Sequence, residues 1–273
     1  MDMILCQNLT KQFGALTAVD NMNLQVREGE LFGFLGPNGA GKTTTIKMLC
    51  GLLNPTSGTA AIGGYDIQRQ PLQAKSILGY IPDNPFLYEK LTGREYLQFM
   101  ADLYSVTHAN RRQRIEDLLC LFELQEKGNA LLQGYSRGMR QKIALAGALI
   151  HAPRVIFLDE PTVGLDPRSA RLMKDILREL CRRGTTVFIS THILEIAERM
   201  CDRAAIVNKG HLIAVGTIEE LRAAAAARHG LGLESRNGAN GSDTDQDDKK
   251  SLEDIFLELT GGAEQTDLIQ YLG

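Results

Sequence analysis

The run Gly36-Pro37-Asn38-Gly39-Ala40-Gly41-Lys42-Thr43 narrows the choice of fold more than any other stretch of this chain. It fits the phosphate-loop pattern G-x-x-x-x-G-K-[ST] without a mismatch, and its flanks fit as well. Leu31 to Leu35 is a short apolar run of the kind that forms a buried strand, and Thr45 to Leu53 continues as a helix that begins near Lys42. A loop that wraps a polyphosphate turns its backbone N–H groups inward, and Gly36, Gly39 and Gly41 are expected to take the positive φ this needs. The following helix aims its free N–H groups and positive dipole end at the same anion. In such a loop Lys42 reaches the β- and γ-phosphates and the Thr43 hydroxyl holds Mg2+. The expectation is a nucleoside triphosphate site between a strand and a helix.

The segments around the loop alternate in character. Ile4-Leu5-Cys6 and Met22 to Val26, broken by Asp20-Asn21 and Glu28-Gly29-Glu30, predict a small β layer leading into the loop. Phe13 stands in a polar loop, Lys11 to Gly14, where an aromatic ring can stack on an adenine. Thr59 to Ile62 and Ile77 to Ile81 read as further strands. Helices follow: Thr92 and Glu95 form a capping box, with Tyr96, Phe99, Met100 and Leu103 expected on one face. A second helix over about 110–122 brings Ile115, Leu118, Leu119 and Phe122 into phase, and a third covers Met139 to His151. This helical stretch, about 85–150, interrupts a β/α pattern and is expected to be an inserted subdomain.

Val155 to Leu158 reads as a central parallel strand that ends in Asp159-Glu160. A charged amphipathic helix (Arg168 to Arg183), a strand (Thr185 to Ser190), a short helix (Glu195 to Met200) and a hairpin over Asn208 to His211 complete the pattern. Thr217 caps a helix over Ile218 to Arg228. Residues 229–250 have the composition of a disordered linker, and Ser251 to Leu259 predicts a short amphipathic helix. The fold class is α/β, a parallel sheet flanked by helices with an N-terminal β layer and an all-helical insertion.

Composition excludes several functions. Lys+Arg total 30 against 33 Asp+Glu, a formal charge of −3, so no overall basic field points to nucleic acid. The five cysteines are odd in number and widely spaced, which argues for reduced thiols rather than a disulfide framework or a metal knuckle. The longest uncharged apolar run, Ile143 to Pro153, is far short of the ~18 residues of a membrane helix. The acidic opening Met1-Asp2-Met3-Ile4 does not resemble a secretory leader. If this chain serves a membrane, another chain crosses it.

Three places complete a candidate site. Asp159, at a strand end, can hold Mg2+ opposite Thr43, and Glu160 beside it can polarise an attacking water. His192, past the next strand, can donate a hydrogen bond to a γ-phosphate. Ser136 and Gly138 lie at a helix entrance, a second place where a hydroxyl and N–H groups converge on an anion.

The order of these motifs, with Asp159-Glu160-Pro161-Thr162-Val163-Gly164-Leu165-Asp166-Pro167 between the Ser-Arg-Gly-Met stretch and Ser190-Thr191-His192, resembles the ATP-binding subunit of ABC transporters over about residues 3–220. The resemblance implies a RecA-like P-loop core with ATP and Mg2+ as cofactors. It makes Phe13 the adenine-stacking aromatic, Gly36 to Thr43 (with Pro37, Asn38, Gly39, Ala40, Gly41 and Lys42) the Walker A loop, and Thr44 its neighbour on the phosphates. Ser136, Arg137, Gly138 and Met139 become the signature motif, Asp159 the Walker B carboxylate, Glu160 the catalytic base, Asp166 the D-loop residue and His192 the switch histidine. It also implies a head-to-tail pair of such subunits, homo- or heterodimeric, in which the signature of one contacts the γ-phosphate held by the other. Two departures stand out. Asp83 occupies the place of a glutamine that joins the two lobes and senses Mg2+, and Tyr135, Arg137 and Met139 replace the more usual Leu, Gly and Gln.

Such variants, with the Ser251-Leu252-Glu253-Asp254-Ile255-Phe256 segment, resemble the multidrug and antibiotic exporter branch. The expectation is an ATPase cassette over 1–222, a helix end and linker over 223–250 and an amphipathic segment over 251–273, energising a polytopic permease from the cytoplasmic face of the cell membrane. The alternative is a soluble ABC-type ATPase acting without a permease. A GTP switch would need Asn-Lys-x-Asp, and Asn208-Lys209-Gly210-His211 lacks the Asp.

Overall fold

A computed structural model describes residues 1–224 of the chain. It opens with a long hairpin, β1 (Asp2–Phe13) and β2 (Leu16–Arg27), followed by β3 (Leu31–Leu35) and α1 (Lys42–Leu49). Next come β4 (Ser57–Ile62), β5 (Tyr65–Asp66), α2 (Pro71–Ser76) and β6 (Leu78–Ile81). Three helices follow, α3 (Gly93–Leu103), α4 (His108–Leu121) and α5 (Arg137–Leu149). The described chain closes with β7 (Val155–Asp159), α6 (Pro167–Arg182), β8 (Thr186–Thr191), α7 (Leu194–Met200), β9 (Arg203–Asn208), β10 (His211–Thr217) and a helix from Ile218. The linker expected over 229–250 and the amphipathic segment expected over 251–273 lie outside the described residues, as does the end of the 218–228 helix.

The strands form two sheets. One has the order β2-β1-β4-β5 and is antiparallel throughout. The other runs β10-β9-β3-β8-β7-β6, parallel from β9 to β6 with β10 as an antiparallel edge. Every residue of β3, β7 and β8 is buried, which is why β3, β7 as far as Leu158 and the Val187–Ile189 centre of β8 are apolar. Side chains alternate between faces. Phe32, Phe34, Phe157 and Phe188 point toward the antiparallel sheet and α1, where Phe188 sits 5.3–5.6 Å from each of the other three rings. Leu31, Leu158, Val187 and Ile189 face the helices α3 to α6. Cutting Phe188 back to alanine would cost about 3–5 kcal/mol, because it holds three strands on one face.

Several expectations are corrected here. The N-terminal β layer is much longer than the apolar segments suggested: Asp20-Asn21 lies inside β2, where Asn21 takes φ 48° and the pairing with β1 shifts register. Phe13 ends β1 rather than sitting in a loop. On α3 the buried residues are Gly93, Tyr96, Leu97 and Ala101, while Phe99 and Leu103 are exposed, Leu103 by 64%. Tyr96 sets that rotation by packing over Gly147 of α5, where a Cβ would lie 2.8 Å from the ring. The third helix begins at Arg137, two residues earlier than expected. Finally, β7 is one strand in from the β6 edge, and β3 and β8 hold the centre. The capping box of Thr92 and Glu95 and the buried phase of α4 are as expected.

Candidate functional site

A cavity of roughly 400 Å3 opens at the carboxyl ends of β3 and β7, lined by Phe13, Leu16, Ala18, Pro37 to Gly39, Gly41 to Thr44, Asp83, Asp159 and Glu160. In an open parallel sheet this end is where ligands bind, because helix N-termini and strand-end side chains meet there.

The loop before α1 shapes its floor. Gly41 has φ 101° and a Cβ on it would lie 2.4 Å from the Ala18 carbonyl oxygen; Gly39 has φ 82°. Gly36 does not take a positive φ, contrary to expectation. It is needed for space instead, since a Cβ there would sit 2.3 Å from the Val207 carbonyl oxygen. Gly41 caps α1 without a side chain, so the first N–H groups of the helix are left for a ligand. Lys42 is buried and donates to the carbonyls of Gly36 (2.7 Å) and Pro37 (3.2 Å), with Glu160 Oε1 at 3.7 Å. Burial pulls the Lys42 ammonium below its ordinary value, opposed by the carboxylates of Glu160 and Asp159. Two neutral carbonyls are weak partners for a buried cation, and a phosphate oxygen is a stronger one.

Opposite the loop stand the two acids. Asp159 is 3% exposed; its Oδ2 accepts from Thr43 Oγ1 at 2.7 Å and its Oδ1 from Ser190 Oγ. A hydroxyl beside a carboxylate is a hard oxygen pair of the kind that suits Mg2+ when phosphates supply further ligands. Among the described residues no group of three or more His, Cys, Asp or Glu side chains could hold a metal by itself. Glu160 takes φ 51°, and its backbone N–H is bonded to the Ser190 carbonyl at 3.0 Å. Its Oε1 accepts from the His192 N–H (3.1 Å) and lies 2.9 Å from His192 Nδ1, and its Oε2 accepts from Thr191 Oγ1 (3.1 Å).

The far wall is the tip of the β1–β2 hairpin, where Phe13 and Leu16 are exposed and Lys11 Nζ sits 5.1 Å from the Phe13 ring. The other predicted residues lie elsewhere. Ser136 caps α5 by accepting from the Met139 N–H at 3.3 Å. Asp166 caps α6, and the Ser169 N–H it accepts holds its carboxyl below the usual range. Gly138 is a neighbour of Asp166: a Cβ on it would lie 4.0 Å from Asp166 Oδ2. Arg137 reaches Asp83 at 3.8 Å, and a Cβ on Gly164 would lie 2.7 Å from its guanidinium. None of Ser136, Arg137, Gly138, Met139, Asp166 and His192 lines the cavity.

Sequence reasoning missed four residues: Leu16 and Ala18 in the cavity wall, and Ser190 and Thr191, whose hydroxyls hold Asp159 and Glu160. The signal available for the last two was a pair of hydroxyl residues closing an apolar strand just before His192. Only the pairing of Asp159 with Ser190 across β7 and β8 says which acid each one meets.

Known proteins are similar to this chain in sequence and fold. The family model described as ABC transporter matches residues 19–163. Over 219 residues the chain is 37% identical to the linearmycin resistance ATP-binding protein LnrL of Bacillus subtilis, covering 80% of this chain and 70% of LnrL. The match spans 39% of the probable multidrug ABC transporter ATP-binding protein YbhF of Escherichia coli and 83% of the ABC transporter ATP-binding protein NatA of Bacillus subtilis. A solved ATP binding subunit of an ABC transporter superposes with TM-score 0.80 at 32% identity, covering 94% of this chain and 99% of that one. The ATP-binding cassette MJ0796, dimeric in a post-hydrolysis state with ADP and Pi, superposes with TM-score 0.72 at 26% identity, covering 79% of this chain and 99% of its own.

Proposed function

The chain belongs to the ABC transporter family, and from that membership we propose that it is the ATP-hydrolysing subunit of an exporter, working from the cytoplasmic face of the cell membrane on a separate polytopic permease. One observation carries the reading. Lys42, Thr43, Asp159 and Glu160 converge on one cavity, while the Ser136–Gly138 corner does not line it, which leaves that corner free for the γ-phosphate of a second copy. The working unit is then a head-to-tail pair, a reading supported by the dimeric MJ0796 cassette.

In this proposal Phe13, with Leu16, takes the adenine, and the N–H groups of Gly39 to Thr44 take the phosphates. Lys42 exchanges its two carbonyl partners for phosphate oxygens. Thr43 and Asp159 would hold Mg2+, which would supply charge neutralisation on the nucleotide's phosphates; Asp83, on the cavity wall, is a further candidate for sensing it. Glu160 orients and deprotonates the water for in-line attack, and His192 stabilises the developing charge from beside Glu160. Catalysis is positioning and charge neutralisation, with little covalent work for the protein.

Transport partners enter through the surface. Phe86, Tyr88 and Phe99 form a chain of edge contacts at 6.5 and 5.1 Å, and Phe86 is 89% exposed. An exposed aromatic patch of this kind fits a protein partner, and it starts three residues after Asp83. Among the described residues no helix is long and apolar enough to cross a membrane, so the crossing falls to that partner. The name of LnrL supports resistance export. Cassette boundaries at 1–222, with an insertion at about 85–150 and separate segments at 223–250 and 251–273, belong to the same proposal. A soluble ABC-type ATPase is distinguished by its failure to co-purify with a polytopic membrane protein.

The test is Glu160→Gln. Turnover is expected to vanish while ATP binding persists and a closed dimer accumulates; an unchanged hydrolysis rate would remove Glu160 from its role.

A further inference from the structure

We propose that Thr191 is a positioning residue for hydrolysis: its hydroxyl ties down one oxygen of the Glu160 carboxylate, Oε2, and leaves Oε1 as the oxygen that works on the attacking water. The inference deepens the reading of the site given above and rests on it.

The hydrogen bonds set the direction. Thr191 Oγ1 accepts from the Ile193 N–H at 3.0 Å and lies 3.1 Å from Glu160 Oε2. A hydroxyl has one proton, and an ionised carboxylate can only accept, so with a lone pair of Oγ1 engaged by Ile193 the proton goes to Oε2. Thr191 is 2% exposed at the end of β8, and its β-branched side chain has few rotamers to escape into. The backbone of Glu160 is held by the same strand, through its N–H on the Ser190 carbonyl at 3.0 Å. Both ends of Glu160 are therefore fastened to consecutive residues of β8.

The two carboxylate oxygens face different company. Around Oε1 are the His192 N–H at 3.1 Å, His192 Nδ1 at 2.9 Å and Lys42 Nζ at 3.7 Å. His192 Nδ1 and Lys42 Nζ are groups that a γ-phosphate attracts, so a bound nucleotide relieves Oε1 of two partners. It has no such hold on the neutral Thr191 hydroxyl, which stays on Oε2. The result is a fixed carboxylate with Oε2 anchored on Thr191 and Oε1 left with only the His192 N–H and a lone pair to spare, held to the accuracy that an oriented water requires.

Full-length chains carrying Thr191→Val, Thr191→Ser and Glu160→Gln are compared for ATP hydrolysis, ATP affinity and thermal midpoint. Valine keeps the shape of threonine but loses both hydrogen bonds, the one to Glu160 Oε2 and the one from the Ile193 N–H; serine keeps both. For T191V the expected loss in kcat is on the order of 10- to 100-fold, with KM and ATP affinity held. T191S should stay within about 3-fold of the parent, since both its bonds survive. A T191V enzyme as fast as the parent, beside an inactive E160Q, would overturn the inference and leave the site reading intact. Loss of ATP binding in T191V would also overturn it, by making Thr191 a structural residue. An active E160Q would overturn the site reading itself.

Discussion

Two helix entrances of this chain, at α1 and at α5, are the ones we propose meet phosphate, and they differ in what surrounds them. At α1 the cap is a glycine, the helix N–H groups are unclaimed by any side chain, and a buried lysine and two strand-end acids close the space. At α5 the cap is Ser136, which already satisfies the Met139 N–H, and Ser136 and Arg137 face solvent. The first is a pocket within one chain; the second is an open surface, which in the proposed reading becomes a site only when a second copy is brought to it. Similar local chemistry thus has two uses, decided by enclosure, since a charge contact in a dry, enclosed space is worth far more than the same contact in water.

The strongest way to break this contrast is to spoil the α5 corner alone. Ser136→Ala and Gly138→Asp should cut turnover by 100-fold or more on the order-of-magnitude scale of lost transition-state donors, with ATP binding to the single chain unchanged. Gly138→Ala is a useful companion, because its Cβ would find ordinary contacts at 3.7 Å and beyond, so a loss there is not a folding defect. Nucleotide affinity falling in step with turnover would show that both corners serve one chain's pocket. A smaller effect sharpens the α1 side: Phe13→Ala should raise KM for ATP by roughly 5- to 150-fold, the equivalent of ~1–3 kcal/mol of stacking, with kcat nearly constant. The smallest concerns the bridge between the two regions. The Asp83–Arg137 pair is 3.8 Å long and over half exposed on both sides, so Asp83→Asn should shift stability by no more than about 1 kcal/mol. If the pair joins the regions electrostatically, the Asp83→Arg, Arg137→Asp double variant recovers whatever turnover either single change loses, and the recovery weakens with salt.

Local signals served well where partners are close in the chain. The phosphate loop, the Thr92 capping box, the apolar phase of α4 and the buried strands ending at Leu35 and Asp159 were all readable, because each depends on neighbours a few residues away. Errors arose where distant packing decides. Phe99 and Leu103 share a helical face on paper, yet Tyr96 over Gly147 turns that face outward. Gly36 reads as a flexible turn residue, and the backbone of β9 makes it a spacer. Asp20-Asn21 reads as a break, and β1 carries the strand through it by a shift of register.

By itself the sequence determined what chemistry is present: a contiguous loop that can cradle phosphates, a hydroxyl and an acid suited to Mg2+, and a second acid next to it. Tertiary structure alone decided which of these groups meet. The register of β7 on β8 hands Ser190 to Asp159 and Thr191 to Glu160, and the turn of α5 leaves Ser136 outside the cavity. The reason is that strand pairing and helix rotation are settled by the burial of whole faces, a long-range balance that no short motif encodes.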